Sequence, residues 1–590
     1  LWAFFPSGCL RIIRNAFNTL NRAAAIWNSR IQWPRCSRFL INTYRGYTTL
    51  VLQDKEKTEF LLSKEGVGQG DPLFMLMYAA AVMPLIKSLS NPSNWIQNWY
   101  ADDSSCIAKL THLRDWFDKL CERGPQYGYY PEVDKCIVIV DSNHESEARS
   151  AFEHLGVKVV KGYRFLGGFI GDHDSTKSFI QKKIMELTNS IAKLSKVAEL
   201  QPQAAFSALT KSLQFEWSYL QRILPNFDDE YVPIQDAVNQ MFWPAVFAGT
   251  ISNQEHRLFT LPARMGGMGV RNPVETSKIA FATSRAGTSN IVDAIKGCKQ
   301  FSTPDHSIQM SEAASAMHKI LQQNDEDKLT SVLATVDPNT RRAITRSVGS
   351  KSSSWLTVMP IALHHFDLSA TEFRDSLALR YHRPLLKAPA NCDGCGDVFN
   401  MTHALDCRKG GLVIQRHNEV RDALGDLASL AYKDVIREPI VQEANDACGI
   451  PSLVADLSIR GVWQSQTVAL FDIRVIDTDA PSYLHRDVAS ILSSAEEEKK
   501  RKYNDAAEAR RASFTPIVVS VDGVLGREAE CFIQLLANKI AQKWKKTYAE
   551  VAGWIRARLS FAILRATNVC LRGCRTKWRS GTGFDDGAGL

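Results

Sequence analysis

The run CDGCGDVFNMTHALDC, from Cys392 to Cys407, constrains the folding of this chain more than any other stretch. It sets Cys392, Cys395, His403 and Cys407 at a C-x2-C-x7-H-x3-C spacing. The first pair suits a tight metal-binding turn, and a histidine and a cysteine four apart share one face of a helix. Thiolates and an imidazole so grouped suit tetrahedral zinc, and four protein ligands leave no open position, so the ion's role is structural. The alternative is a chance grouping of free thiols. All told there are 13 cysteines, an odd and scattered set that suits a reducing compartment.

A chain of 590 residues is too long for one ordinary core and implies two to four domains. Apolar residues make up 45% and charged residues 23%, values of a soluble globular protein. The longest apolar run, Leu73 to Ile86, is too short to span a bilayer and contains Pro84. No signal-peptide pattern opens the chain. The net charge is +8, unevenly spread: no acid lies between Cys9 and Gln53, and Glu550 alone offsets the basic residues from Lys543 to Arg579. Basic surfaces of this kind favour a polyanion, although a basic helix that is merely well solvated has the same composition.

The segment WYADDSSC sets Asp102 and Asp103 side by side after the apolar run WIQNW. WIQNW and SSCIAKL read as two strands, with the acids at the hairpin tip. Repulsion between such carboxylates is relieved by a cation, and divalent magnesium takes oxygen ligands and bridges phosphates. An exposed acidic turn is the plainer reading. Upstream, EGVGQGDPL (Glu65 to Leu73) offers glycines for close backbone approach, Gln69 for hydrogen bonding, and Asp71-Pro72 at the start of an apolar helix. Downstream, Lys135 precedes a β-branched strand, and RFLGGFIGD (Arg164 to Asp172) reads as a further strand with a glycine pair.

In this order and spacing, GVGQGDPL, YADD, the lysine and FLGG resemble the palm of reverse transcriptases, especially those of non-LTR retrotransposons. The resemblance covers about Asn15 to Asp172. It implies that Asp102 and Asp103 are catalytic ligands of Mg2+ (or Mn2+). It implies that Gly68, Gln69, Gly70, Asp71 and Pro72 lie by the template and incoming nucleotide, and Lys135 by the triphosphate. Phe165, Leu166 and Gly167 become the primer grip, and Phe17 takes the place of the sugar-sensing aromatic residue. One motif departs from the family: the position of its first catalytic Asp, ahead of Asn15-Ala16-Phe17-Asn18, is Ile12, and isoleucine binds no metal. The fingers, which the family places earlier, are missing, and the chain begins at Leu1. A partial or frameshifted copy with an impaired polymerase half is the expectation.

Ile180, Ile184, Leu187, Ile191, Leu194 and Val197 recur at helical spacing. The family would place its thumb there, though an ordinary amphipathic helix has the same pattern. Residues 302–390 read as helical with polar breaks and show no chemistry. Beyond the cysteine cluster, VADLSIRG and ALFDIRVID set Asp456 and Asp472 in two apolar, β-branched strands. Adjacent strands would hold both over one cation, with Arg474 on the same strand face as Asp472. A charged helix follows, carrying Lys499, Lys502 and Tyr503. This order resembles the CCHC knuckle and restriction-like endonuclease of site-specific non-LTR elements. The resemblance implies Asp456 and Asp472 as acids of a PD-(D/E)xK-type site, with Ala455 replacing the usual proline. The catalytic lysine is displaced to Lys499, or to Lys502 as second choice, and Glu438 is a further candidate acid. His417 is either a core or capping histidine or a phosphate contact.

The expected fold is therefore α+β and multidomain: a partial palm (1–175), a helical thumb-like region (176–301), a helical linker (302–390), a zinc knuckle (391–408), and an α/β restriction-like nuclease with a basic, DNA-holding C-terminal tail (409–580). The resemblance implies target-primed reverse transcription, with nicking of DNA followed by copying of RNA from the freed 3′ hydroxyl. The implied partners are the element RNA template, target DNA and dNTPs, with no membrane; the oligomeric state stays open. The implied location is the nucleus, with a cytoplasmic ribonucleoprotein stage. Two other readings remain: a non-catalytic nucleic-acid-binding remnant, and a reverse transcriptase like those of group II introns or retrons.

Overall fold

The computed structural model describes residues 9–12, 16–54, 57–67, 71–349, 351–444 and 452–576. The chain is α+β and divides into two compact units. The first comprises Leu1–Lys183, Leu220–Glu230 and Ser277–His318; the second comprises Ile184–Tyr219, Tyr231–Thr276 and Lys319–Leu590.

The first unit contains strands β1 (Cys9–Ile12), β2 (Thr48–Gln53), β3 (Thr58–Ser63), β4 (Trp95–Tyr100), β5 (Asp103–Ala108), β6 (Ile137–Ile139), β7 (Lys158–Val160), β8 (Gly162–Phe165) and β9 (Gly168–Gly171). Five of them form one sheet in the order β4-β5-β1-β6-β7. The expected hairpin is present: β4 and β5 pair antiparallel, with Tyr100 opposite Asp103, and Ala101 turns the chain with a φ of 54°. The apolar run after Asp71 forms the helix Phe74–Ser88, which buries Met77, Tyr78, Ala81, Val82 and Leu85, a stripe of helical period. It joins Leu20, Trp116, Phe117 and Phe152 in one core. No helix among the described residues is long and apolar enough to cross a membrane.

Around FLGG the structure corrects the sequence reading. Arg164 to Asp172 is not one strand but most of the β8–β9 hairpin, because Leu166 (φ 47°) and Gly167 (φ 82°) reverse the chain. Two successive residues at positive φ make the kind of tight turn that matches strand twist. The amphipathic repeat that follows lies in the helix His173–Leu200, where Ile180, Ile184, Leu187 and Ile191 are buried but Val197 is exposed.

The second unit contains β10 (Val435–Arg437), β11 (Ile440–Gln442), β12 (Leu453–Val454), β13 (Leu457–Arg460), β14 (Val468–Ile476) and β15 (Ser513–Ser520). Its four-stranded sheet runs β10-β13-β14-β15, antiparallel except for the parallel pair β14–β15. The helix Val488–Ala509 makes the crossover that a parallel pair requires. Phe471, Ile473, Phe532, Ile555 and Leu559 meet in the core, which draws on the sheet and the helices Arg527–Trp544 and Tyr548–Arg572. Glu550, the lone acid of the basic tail, is spent on a capping box: its carboxylate accepts from Thr547 while its own N–H reaches the Thr547 hydroxyl.

Part of the stretch read as a linker is built into this unit. Arg346 is buried and lies 2.5 Å from both Asp479 and Asp522, and Asp375 is buried against Arg572 at 2.6 Å. Removing one partner of such a buried pair costs about 3–5 kcal/mol, because the other charge is left stranded.

Candidate functional sites

Local turns build the metal cluster. The bridge between Asn391 and Val398 closes a loop in which Cys392 N–H donates to Asp397 and Gly396 N–H returns to Cys392. Gly396 has a φ of 86°, the left-handed region that favours glycine. His403 lies in the short helix Met401–Asp406, capped by Asn400, whose side chain accepts from His403 N–H. Sulfur and nitrogen atoms of Cys392, Cys395, His403 and Cys407 all lie within 4.8 Å of one another. Cys392 Sγ and Cys407 Sγ are 3.9 Å apart, and Cys395 Sγ is 3.2 Å from His403 Nε2. A tetrahedron with zinc–sulfur bonds near 2.3 Å has edges of about 3.8 Å, so the donor set fits zinc. Burial opposes ionisation of Cys392, yet the N–H groups of Cys395 and Gly394 hold its thiol down to about 6.

The back of this cluster is closed by Arg575, which is buried, donates its backbone N–H to Asp393 at 2.6 Å and its guanidinium to Ala404 O at 2.9 Å. Gly410 (φ +74°) leaves the room: a Cβ there would lie 2.5 Å from Arg575 Cα. Arg575 therefore corrects the expectation of a tail that holds DNA throughout. Arg556 pairs with Glu530, Arg558 donates to His364 O, Arg565 pairs with Asp367, and Arg572 makes two 2.6 Å bonds to Asp375. These guanidiniums tie the last long helix to its own unit. Lys577 and Arg579 lie outside the described residues.

Asp456 and Asp472 are brought together as the sequence suggested. Asp456 immediately precedes β13 and its N–H donates to Phe471 O, so it sits beside Asp472 across the antiparallel pair. One Asp456 oxygen accepts from Ile473 N–H at 2.5 Å; the other lies 2.8 Å from His417 Nε2. Asp472 is buried, and its Oδ2 lies 2.5 Å from Lys499 Nζ. Tyr503 donates to Val454 O at 2.9 Å, and burial followed by the Asp472 carboxylate pushes its phenol up. Beside them opens a cleft of about 400 Å³ lined by Arg416, His417, Arg474, Lys499 and Lys502. The two carboxylates form an oxygen donor set beside cationic side chains that line the cleft. Arg474 is drawn off to Glu498 at 2.5 Å. The carboxylate of Glu438 pairs with Arg421, and its N–H donates to Asp456 O. His417, read from the sequence as a core or capping histidine or a phosphate contact, meets Asp456, 39 positions away, a pairing with no local sequence signal.

In the first unit, Asp102 occupies the β4–β5 turn and Asp103 opens β5. Buried Tyr129 braces them, its hydroxyl 2.8 Å from Ser104 Oγ and donating to Asp102 O at 3.1 Å. The β1–β5 register puts Ile12 opposite Ser104, next to the acidic turn. Phe17 packs on Phe74 and Tyr78. Asp71 accepts from the Tyr44 hydroxyl and from Leu73 N–H, which together hold its carboxyl below the usual range. Pro72 follows in the turn before the helix. Lys135 pairs with Glu132 at the surface. Phe165, Leu166 and Gly167 lie at the tip of the β8–β9 hairpin. Gly68, Gln69 and Gly70 lie outside the described residues.

No protein-family model matches the chain, and no curated protein matches it in sequence.

Proposed function

We propose that the second unit is a metal-dependent DNA endonuclease, and that the chain is part of a non-LTR retrotransposon protein acting in target-primed reverse transcription. The observation that carries this reading is the Asp456–Asp472 pair with Lys499 at 2.5 Å, beside a cleft lined by basic groups. Asp456, held at both oxygens, and Asp472 would hold a magnesium ion, which would supply polarisation of the scissile phosphate. Lys499 orients the attacking water, and Lys502 and Arg416 at the cleft wall attract the phosphate. Cleavage between phosphorus and O3′ leaves the hydroxyl that primes copying. Zinc at Cys392, Cys395, His403 and Cys407 keeps the neighbouring segment folded.

For the first unit, Asp102 and Asp103 are the two remaining metal ligands of a reverse-transcriptase palm. The isoleucine at position 12, registered beside them, favours a second reading of this unit as a nucleic-acid-binding remnant without polymerase activity. The test of the leading reading is nicking of supercoiled plasmid by the full chain with magnesium. Asp472→Ala is expected to abolish nicking and leave DNA binding near the parent value. An equal nicking rate in that variant overturns the site, and DNA binding without any nicking by the parent overturns the enzyme.

A further inference from the structure

A cleft of about 450 Å³ opens in the first unit, away from the Asp102–Asp103 turn in sequence and formed by residues 22–65. Its walls are the helices Arg22–Gln32 and Pro34–Tyr44 and the chain flanking the β2–β3 hairpin. Two aromatic rings at this cleft face solvent: Trp27 is 62% exposed and Tyr47 65%. Two exposed rings at one cleft offer a platform on which unpaired bases can stack.

Three cations accompany the rings. Arg30, Arg45 and Lys64 line the same cleft and are exposed, and among the described residues none has a carboxylate within ion-pair distance. Lys64 Nζ stands 5.6 Å from the centre of the Tyr47 ring. Some exposed cations elsewhere in the unit are matched, Arg114 with Asp118, Lys119 with Asp115 and Arg149 with Glu145, whereas these three at the cleft are not, among the described residues. The acid at the cleft, Glu65, accepts from the backbone N–H of Arg22 at 3.3 Å.

The cleft is also rigid at its base. Arg22 is buried, and its guanidinium donates to the carbonyls of Gly46, Ser63, Glu65 and Gly66. This fan of bonds ties the helix to both ends of the hairpin, so the rings and cations are mounted on one frame. Tyr44, at the cleft, donates its hydroxyl to Asp71, which opens the segment leading into the helix Phe74–Ser88.

From this combination we infer that the cleft is a binding site for single-stranded nucleic acid. Unpaired bases stack on Trp27 and Tyr47, and the phosphates between them meet Arg30, Arg45 and Lys64. A duplex keeps its bases stacked inside and cannot use the two rings, so the site selects single strands. The proposal does not depend on the nuclease reading. It deepens the polymerase reading only in that Tyr44 connects the bound strand to Asp71.

The test uses the full chain carrying Asp472→Ala, without magnesium, so that a failed nuclease reading leaves the result intact. Fluorescence anisotropy with labelled oligouridylate, oligothymidylate and a duplex of equal length reads the affinity. Trp27→Ala and Tyr47→Ala are each expected to weaken both single-stranded probes about tenfold to a hundredfold and to leave the duplex unchanged. Trp27→Phe, which keeps a ring, should recover most of the loss. Arg45→Gln and Lys64→Gln together should make the salt dependence shallower by about 1.4 in the log–log slope. Equal loss for the two single strands identifies recognition by ring and phosphate; a larger loss for oligouridylate identifies RNA as the ligand. Parent affinity for the single strands in both alanine variants, or equal loss for duplex and single strand, overturns the proposal.

Discussion

His417 Nε2 stands 2.8 Å from Asp456 Oδ1, joining the helix Leu412–Ser429 to the edge of β13 across 39 positions of sequence. With the other oxygen on Ile473 N–H, the carboxylate is fixed at both ends. Groups that orient a metal ligand typically matter 10–100-fold for metal affinity or activity. His417→Ala should therefore raise the magnesium concentration for half-maximal nicking by about that factor, with DNA affinity unchanged. His417→Gln, which retains a donor amide, should restore part of it. A titration of nicking rate against magnesium in the two variants makes the comparison.

Lys499 and Lys502 both line the cleft, but Lys499 is the one 2.5 Å from Asp472, while Lys502 stands 5.0 Å from the centre of the Tyr503 ring. Lys499→Gln should lower the single-turnover cleavage rate at least a hundredfold with little change in DNA affinity. Lys502→Gln should do the opposite, weakening binding a fewfold and sparing the chemistry. Single-turnover kinetics at saturating DNA separate the two.

Zinc should be present at one ion per chain by metal analysis. His403→Ala should release it, and a strong chelator should lower the melting temperature of the second unit. Arg575→Ala should lower it as well while zinc is still bound, because the buried guanidinium braces Ala404 from behind. Thermal melting with and without chelator tests the pair.

Asp477 gives a stability dependence on pH. Burial, with the charges of Asp479 and Asp406, pushes its carboxyl up to about 7, against an N–H from Asp479 and the charge of Arg346. A carboxyl in the unfolded chain ionises near pH 4, so between about pH 4 and 7 the folded state holds a proton that the unfolded state has released. Stability from this group is therefore lost as pH rises through that window, by about 2–4 kcal/mol. Asp477→Asn should flatten the decline. Denaturant midpoints of parent and variant at pH 4.5 and 7.5 measure the difference.

Template-directed DNA synthesis by the chain should be at background level in primer extension, because Ile12 offers no ligand beside Asp102 and Asp103. Ile12→Asp should raise incorporation above background, and adding Asp102→Ala should remove the gain. Robust synthesis by the parent would show that two carboxylates suffice here.

The sequence by itself determined what depends on neighbours a few residues apart. The knuckle follows from the spacing of Cys392, Cys395, His403 and Cys407, since turn and helix geometry within sixteen residues bring the donors together. The acidic hairpin and the strand around Asp472 follow likewise from apolar patterning. Tertiary structure alone decided which charges find each other. Arg572 and Arg575 read as part of a solvated basic tail, yet packing spends the Arg572 guanidinium on Asp375 and buries that of Arg575 against Ala404 O, both far upstream. Lys499 and Lys502 are near-equivalent letters on one helix, and only the phase of that helix against β14 puts Lys499 on Asp472. His417 gave no local signal for Asp456. A charge in sequence carries no mark of whether it will meet water or a counter-ion; that depends on which distant element packs over it and on the cost of burying it unpaired.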